Sequence, residues 1–415
     1  MNVAANIEGW SHQKIWTSFD IVNGATPASG TLHFWDGDIS WVGPADLGKL
    51  KSREVFFGER NLTLSGYKSC GTSLVPSGTI ILSSRAPIGH VAVAGKELCF
   101  NQGCKGLRLK PQMEQSFSYW LVLSLKVRLE AAGQGTTFVE LSRNKLKDID
   151  FLLPPLPEQR AIAAFLDGKC ATIDEAVRIK QEQITLLQER RQILIQQAVT
   201  RGLNPDAPLK DSGIDWIGQI PAHWEVRKVK QIFRLVADAS EKNNCHELLS
   251  IYTDIGVRPR KDLEERGNKA STTDGYWLVK KGDFIVNKLL AWMGAIGLSE
   301  YEGVTSPAYD ILRRHVPVSG QFYHRLFRSK SFSLEIKRFS RGIMEMRLRI
   351  YFDKLGVMEV PYPPVNEQNK IVAYLEKHEQ TIDTAISLKR DQIATIKEYK
   401  TSLINAAVTG KIKVV

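Results

Sequence analysis

Cysteine is scarce in this sequence, and what there is stands apart. Five occur in 415 residues, at positions 70, 99, 104, 170 and 245, with no C-x-x-C pair. That excludes a disulfide framework and fits small thiols in a reducing compartment. Cys99-x4-Cys104 with Cys70 and His90 is the nearest approach to a metal cluster, and it is set aside; no metal ligand set is expected. No run of about 20 apolar residues occurs, so no membrane-crossing helix is expected. The opening stretch MNVAANIEGWSHQK carries no apolar run either. The chain reads as cytoplasmic, with no membrane partner.

Catalytic motifs are missing as well. Gly43-Pro-Ala-Asp-Leu-Gly48-Lys49-Leu50 approaches a phosphate-binding loop. It has Leu50 where a Mg²⁺-binding hydroxyl belongs, and Pro44 removes a backbone N–H that the loop would use. Gly133-Gln-Gly135 lacks a third glycine and reads as a turn. An Asn/Asp-Pro-Pro-aromatic box for amino-group methylation is absent. After Pro205-Asp206 no spaced Glu-x-Lys follows to hold a nuclease metal. The eight His are isolated, with no visible acid–base partner. No catalytic residue is expected.

What is present is a duplication. Pro154–Thr200 returns at Pro363–Thr409 with a constant offset of 209 and no gap, and 20 of the 47 positions are identical. Repeats must be found before a fold is assigned. Each copy is free of Pro and Gly over its second part and reads as a long helix. Pro157 suits a first turn, and Thr172-Ile-Asp-Glu175 has capping-box spacing, echoed by Thr381-Ile-Asp383. A coiled-coil seam runs Ile173, Val177, Lys180, Ile184, Leu187, Arg191, Leu194, Ala198 in the first copy. The second gives Ile382, Ile386, Lys389, Ile393, Ile396, Lys400, Leu403, Ala407. Cations interrupt both seams at the same two places. Seam charges cost stability but fix register, so the spacing predicts two helices packed on each other. From Thr172 to Thr200, each is about 29 residues and roughly 43 Å long.

Outside the helices the halves diverge. Trp10…Lys14-Ile15…Phe19…Val22 matches Trp224…Lys228-Val229…Phe233…Val236. Short strands are expected at Ile39–Val42, Thr79–Ser83, His90–Ala94 and Gly106–Leu109, punctuated by Gly and Pro. Helices are expected over Phe117–Ala131 and, in the second half, Phe322–Phe339, with a linker at Gly202–Pro208. The net charge is +11, and a basic run lies at Arg325–Arg349, which favours a polyanionic partner. Donors suited to base edges are Ser84, Arg85, Asn101, Gln102 and Lys105 in the first half, and Asn287 and Lys288 beside Trp292 in the second. Arg338, Arg341 and Arg347 suit phosphate contact.

Taken with Leu153-Pro-Pro-Leu-Pro-Glu-Gln159…Phe165-Leu166 and its copy Pro363-Pro-Val-Asn-Glu-Gln368…Tyr374-Leu375, these segments resemble the specificity subunit of type I restriction–modification enzymes. Ser83-Ser-Arg-Ala-Pro-Ile-Gly89, Asn101-Gln-Gly103, Trp292-Met-Gly294, Ser306-Pro-Ala-Tyr309 and Arg347–Phe352 carry the same likeness. The departures are Asn366, where the first copy has proline, and Ala237-Asp-Ala-Ser240, which lacks the turn of Gly24-Ala-Thr-Pro27. The resemblance implies an α/β (α+β) protein of bacterial or archaeal origin. Two target recognition domains (1–153 and 204–362) would be joined by the family's two conserved helices (154–203 and 363–415). These would pack as an antiparallel coiled coil with pseudo-two-fold symmetry. It also implies double-stranded DNA as ligand, two modification subunits as partners, and restriction subunits where present. S-adenosylmethionine, ATP and Mg²⁺ would sit on those partners, and this chain would hold no cofactor. The helices would set half-site centres roughly 10–13 base pairs apart. A self-contained DNA enzyme and a coiled-coil scaffold without DNA are the competing classes.

Overall fold

The computed structural model describes residues 7–85, 87–133, 139–262, 272–342 and 348–414. It forms two compact units: Met1–Lys180 with Asp391–Val415, and Gln181–Arg390. Each contains one β-rich head and one end of each long helix.

The long helices run Leu156–Arg201, 46 residues, and Val365–Val408, 44 residues. Both start directly after a Pro-Pro pair, where the residue before proline is pushed out of helical geometry. This agrees with the first turn expected at Pro157 and corrects the shorter length taken from Thr172. The Thr172 hydroxyl donates to the Gly168 carbonyl (3.1 Å), and Thr381 does the same to Lys377 (2.9 Å). A threonine can satisfy its hydroxyl this way inside a helix, so capping-box spacing alone does not mark a terminus. Leu156–Arg201 is therefore roughly 69 Å long at 1.5 Å per residue.

In the first unit the beginning of the first helix meets the end of the second. Ile162, Ala163, Leu166 and Cys170 share a core with Ile404, Ala407 and Val408. Lys180 Nζ donates to Gln392 Oε1 (2.8 Å), and Lys400 Nζ to both Asp174 oxygens (2.6 and 2.7 Å). Residue numbers fall on one helix as they rise on the other, so the segments are antiparallel. In the second unit Ile195, Ala198 and Val199 share a core with Ile371, Val372 and Leu375, and Arg191 pairs with Asp383. Asp174 and Asp383 occupy the same place in the repeat, as do Lys400 and Arg191. Arg191 and Lys400, the equivalent seam cations, thus each meet an acid at the rim, which leaves the ion pair hydrated and worth little energy but specific in register. Ile184, Ile382, Ile386 and Ile393 are buried, and Ile173, Val177, Leu187, Leu194, Lys389, Ile396 and Leu403 are partly buried.

The first head is built on a five-stranded sheet in the order Phe19–Asn23, Cys104–Leu109, Ile80–Ser83, Val91–Ala94, Glu54–Val55. A three-stranded sheet, Asn61–Leu62, Trp35–Val42 and Cys99–Phe100, lies in the same unit. The second head has a four-stranded sheet in the order Phe233–Val236, Tyr309–Arg314, Phe284–Asn287, Ile296–Leu298. The central strands Ile80–Ser83 and Phe284–Asn287 are buried at every residue. Each follows a glycine with positive φ, Gly78 (87°) and Gly282 (93°), a conformation that costs a side-chain-bearing residue strain. The expected helices Phe117–Ala131 and Phe322–Phe339 are each two helices. They are Gln115–Ser124 with Lys126–Ala132, and Gly320–Phe327 with Lys330–Phe339. In the second pair the Ser329 hydroxyl accepts from the Phe332 amide (3.3 Å) and caps a new start.

The repeated Glu-Gln explains itself in contacts. Gln159 is buried. It donates to the carbonyls of Gln112 and Pro154 (2.9 Å each) and accepts from the Glu114 amide (2.8 Å). Gln368, also buried, donates to the Pro363 carbonyl (2.8 Å) and accepts from Ser319 N–H (2.8 Å). Each glutamine thus ties its long helix to the start of the head's own helix pair. Glu158 and Glu367 accept the indole N–H of Trp10 (3.0 Å) and Trp224 (2.7 Å), the tryptophans that open each half. Replacing either glutamine with alanine orphans buried backbone groups. Gln159→Ala and Gln368→Ala are each expected to lower stability by about 2–4 kcal/mol, read as an earlier urea or thermal transition. An unchanged transition would show that water takes over these bonds.

Candidate nucleic-acid interface

In both heads the buried central strand runs out into a turn, and the two turns are held by the same bond. The Leu141 amide donates to the Ser84 carbonyl (2.8 Å) in the first, and the Ile350 amide to the Lys288 carbonyl (3.0 Å) in the second. Leu141 and Ile350 are 209 apart. Both turns close on a glycine of positive φ, Gly89 (94°) and Gly294 (95°). One backbone scaffold therefore carries two different sets of side chains.

In the first head the named residues divide into structural and exposed groups. Ser84 is fully buried, and no partner meets its hydroxyl; its side chain cannot face a base edge in this conformation. Asn101 turns its Oδ1 to the Gly103 amide (2.9 Å). Lys105 is buried, its ammonium near the Gln102 carbonyl (3.4 Å), and that burial lowers its pKa. Gln102 is exposed and accepts from the Thr26 hydroxyl. Arg85 is exposed and pairs with Glu140 (3.0 Å). Arg85 and Gln102 are thus the two of this set with exposed side chains.

In the second head Asn287 is buried and caps its own turn, accepting from the Leu289 and Leu290 amides (3.0 and 3.3 Å). Lys288 pairs with Asp310 (3.1 Å) with little solvent access on either side. Trp292 packs on the core, with the Lys337 ammonium 4.9 Å from its ring centroid. Arg338 is well exposed and lies 3.6 Å from Glu335. Arg341 is exposed and exchanges both backbone hydrogen bonds with Arg349 (2.9 Å each). Arg347 lies outside the described residues.

The basic run is not one surface. Arg325 is turned inward against Glu379 (2.9 Å) and Glu376 (3.7 Å) of the second long helix. Arg328 donates to the carbonyls of Gly294 (2.7 Å), Thr253 (2.8 Å) and Asp254 (3.0 Å). These two arginines fasten the head. Sequence reading counted them with the exposed cations because charge shows in a sequence and the direction of a side chain does not. It passed over Leu289, Leu290 and Met293, which are exposed on the second turn. The signal was an apolar run between a strand end and a glycine.

The cysteine–histidine grouping has no metal-like geometry. Cys99 and Cys104 are buried, and burial pushes both thiols up to about 12. Among the described residues no three His, Cys, Asp or Glu side chains gather in a way that could hold a metal ion. Among them, too, no helix is long and apolar enough to cross a membrane.

Residues 8–186 match the family model described as the type I restriction modification DNA specificity domain. The chain is similar to the specificity subunits of type I restriction–modification enzymes. It is 29% identical over 232 residues to the type I restriction enzyme MjaIX specificity subunit of Methanocaldococcus jannaschii, covering 54% of this chain and 52% of that protein. The chain thus spans about half the length of that relative. Two solved structures share its fold over nearly its whole length. One is a chain of a type I restriction–modification system (TM-score 0.70, 17% identity, 98% of this chain and 99% of that chain). The other is the HsdS subunit from Thermoanaerobacter tengcongensis (TM-score 0.53, 16% identity, 98% of each).

The packing of the second head has a pH signature. His324 Nδ1 accepts from the Leu298 amide (3.1 Å). Burial foremost, then the Arg328 and Arg325 charges, lower its pKa to about 3. The unfolded chain takes up that proton near 6.5, so it binds more protons than the folded one between about 3 and 6.5. The stability from neutral His324 is full above about 6.5 and is lost as pH falls towards about 3. His324→Asn should flatten that part of the stability–pH curve, measured by urea unfolding. An equal slope in both proteins would show that the neutral imidazole contributes nothing.

Proposed function

We propose that this chain is the non-catalytic recognition subunit of a type I restriction–modification complex. It binds double-stranded DNA through both heads, and each reads one half of a bipartite, asymmetric site. The observation that supports this reading most is the turn at the end of the buried central strand. A shared backbone scaffold presents Arg85 in one head, and Leu289, Leu290 and Met293 in the other. Two unlike reading surfaces on one duplicated framework suit two unlike half-sites. Recognition domains at 1–153 and 204–362, with helical spacers at 154–203 and 363–415, fit the same reading. The spacers set the separation of the half-sites and dock two modification subunits. Those subunits carry S-adenosylmethionine and methylate the DNA. Restriction subunits, with ATP and Mg²⁺, join where the system has them. The complex works in the cytoplasm.

Exchanging residues 10–150 for the head of another specificity subunit should change one half-site in the methylation pattern and leave the other intact. A change in both would count against independent heads. Arg338→Ala and Arg341→Ala should each weaken binding to all duplexes alike and reduce the salt slope by about 1, as loss of one phosphate contact does. Inserting one heptad in both long helices at matched positions lengthens each by roughly 10 Å. The unread gap should widen by about three base pairs with both half-sites kept. A folded, methylation-competent double insertion that keeps its gap would refute the spacer role.

A further inference from the structure

The turn Lys288–Gly294 uses its polar side chains internally. Asn287 is committed to the Leu289 and Leu290 amides. Lys288 is committed to Asp310 and to the Pro307 carbonyl (3.4 Å). Trp292 is packed on the core. What remains facing outward is apolar: Leu289 is 38% exposed, Leu290 39% and Met293 52%. Three large apolar groups on one short turn form an exposed patch of the kind that marks a contact surface. Cations border it. Arg341 and Arg349 are exposed on their mutual bridge, and Ile350, next along the chain, is the residue bonded to the Lys288 carbonyl. The rim suits a polyanion, and the centre requires an apolar group on that polyanion. In duplex DNA the major-groove floor offers one, the C5-methyl of thymine.

We propose that the second head reads at least one A·T pair of its half-site through thymine C5-methyl contact by Leu289, Leu290 and Met293. This rests on the reading of the chain as a DNA-binding subunit. Hydrogen-bond readout at this turn is restricted because the Asn287 amide oxygen and the Lys288 ammonium already have partners inside the head. The first head carries Arg85 at the equivalent turn.

The test uses the full-length chain assembled with its modification subunits and a randomised duplex pool. The selected duplexes are then remade with uracil in place of single thymines, which keeps base pairing and removes only the methyl group. Within one half-site, a uracil should weaken binding about three- to tenfold, the scale of one buried methyl contact. Met293→Gln and Leu290→Gln should weaken the thymine duplex by a similar factor and bind thymine and uracil duplexes alike. Met293 is half exposed, so its variant should keep the wild-type thermal transition, which separates lost contact from lost fold. Specific binding with equal affinity for thymine and uracil at every position of both half-sites would overturn the proposal and leave the DNA-binding role standing. Absence of any sequence preference would instead overturn that role, and the proposal with it. Variants that shed the modification subunits yet keep thymine–uracil discrimination would show the patch to be a protein-docking surface, and would also overturn the proposal.

Discussion

The structure depends on the beginning of one long helix packing against the end of the other. Neither half of the chain completes a unit by itself. The first unit needs residues 391–415 from the far end of the sequence, and the second needs the last turns of the helix that began in the first. The reason is in the seams. Each helix has a narrow apolar stripe among charged and polar residues, and such a helix is stabilised mainly by packing that stripe on a partner. Ile404, Ala407 and Val408 fill the face that Ile162 and Leu166 present in the first core. Ile195, Ala198 and Val199 fill the matching face of Ile371 and Leu375 in the second. The Asp174–Lys400 and Asp383–Arg191 pairs then distinguish the native register from one slipped by a turn, at little energetic gain.

Around this framework the repeat keeps contacts that fasten a head to its helix and varies the rest. Gln159 and Gln368, Glu158 and Glu367, and Trp10 and Trp224 recur because each satisfies a buried group at the joint. Asp167 and Glu376, also equivalent, take a cation from their head by different routes. Asp167 meets Arg53 (3.0 Å) and the Trp120 indole N–H (2.8 Å). Glu376 shares Arg325 with Glu379. An acid is kept at that position while the cation that reaches it comes from a different part of each head. A head can then differ in sequence and still be fastened.

The scaffold was legible in the sequence wherever the repeat was direct. The exact offset exposed the helices, and the 4-3 spacing put every seam residue on a face that the structure buries at least in part. Pro157 marked the first turn of the first helix, but the length was counted from Thr172 because Thr172-Ile-Asp-Glu175 satisfies a spacing rule whose physical test, a free backbone amide to cap, is not visible in sequence. The candidate interface was legible only in outline. The turns were located through Ser84–Arg85 and Asn287–Lys288, but side-chain direction decides exposure. Ser84, Lys105 and Asn287 point into the fold, and Arg325 is drawn to acids 51 and 54 residues further along the chain. Such partners are set by tertiary structure, which local spacing does not encode.

The same inward commitment limits how each head can discriminate among ligands. A buried polar group must be paired, so a turn that hangs from a fully buried strand tends to bind its own donors and acceptors first. In the second head Asn287 and Lys288 are consumed in this way, which rigidifies the turn and strips it of hydrogen-bonding reach. In the first head Lys105 is drawn inward, its ammonium near the Gln102 carbonyl, and Arg85 is left outside with Glu140 as an exposed, weakly held partner. Releasing an exposed ion pair costs little, so Arg85 stays available to a competing acceptor. Releasing Lys288 from its screened-off partner Asp310 costs more, because both charges would lose a neighbour where water cannot replace it. The chemistry each head can offer is therefore decided by which of its charges the fold has already bound.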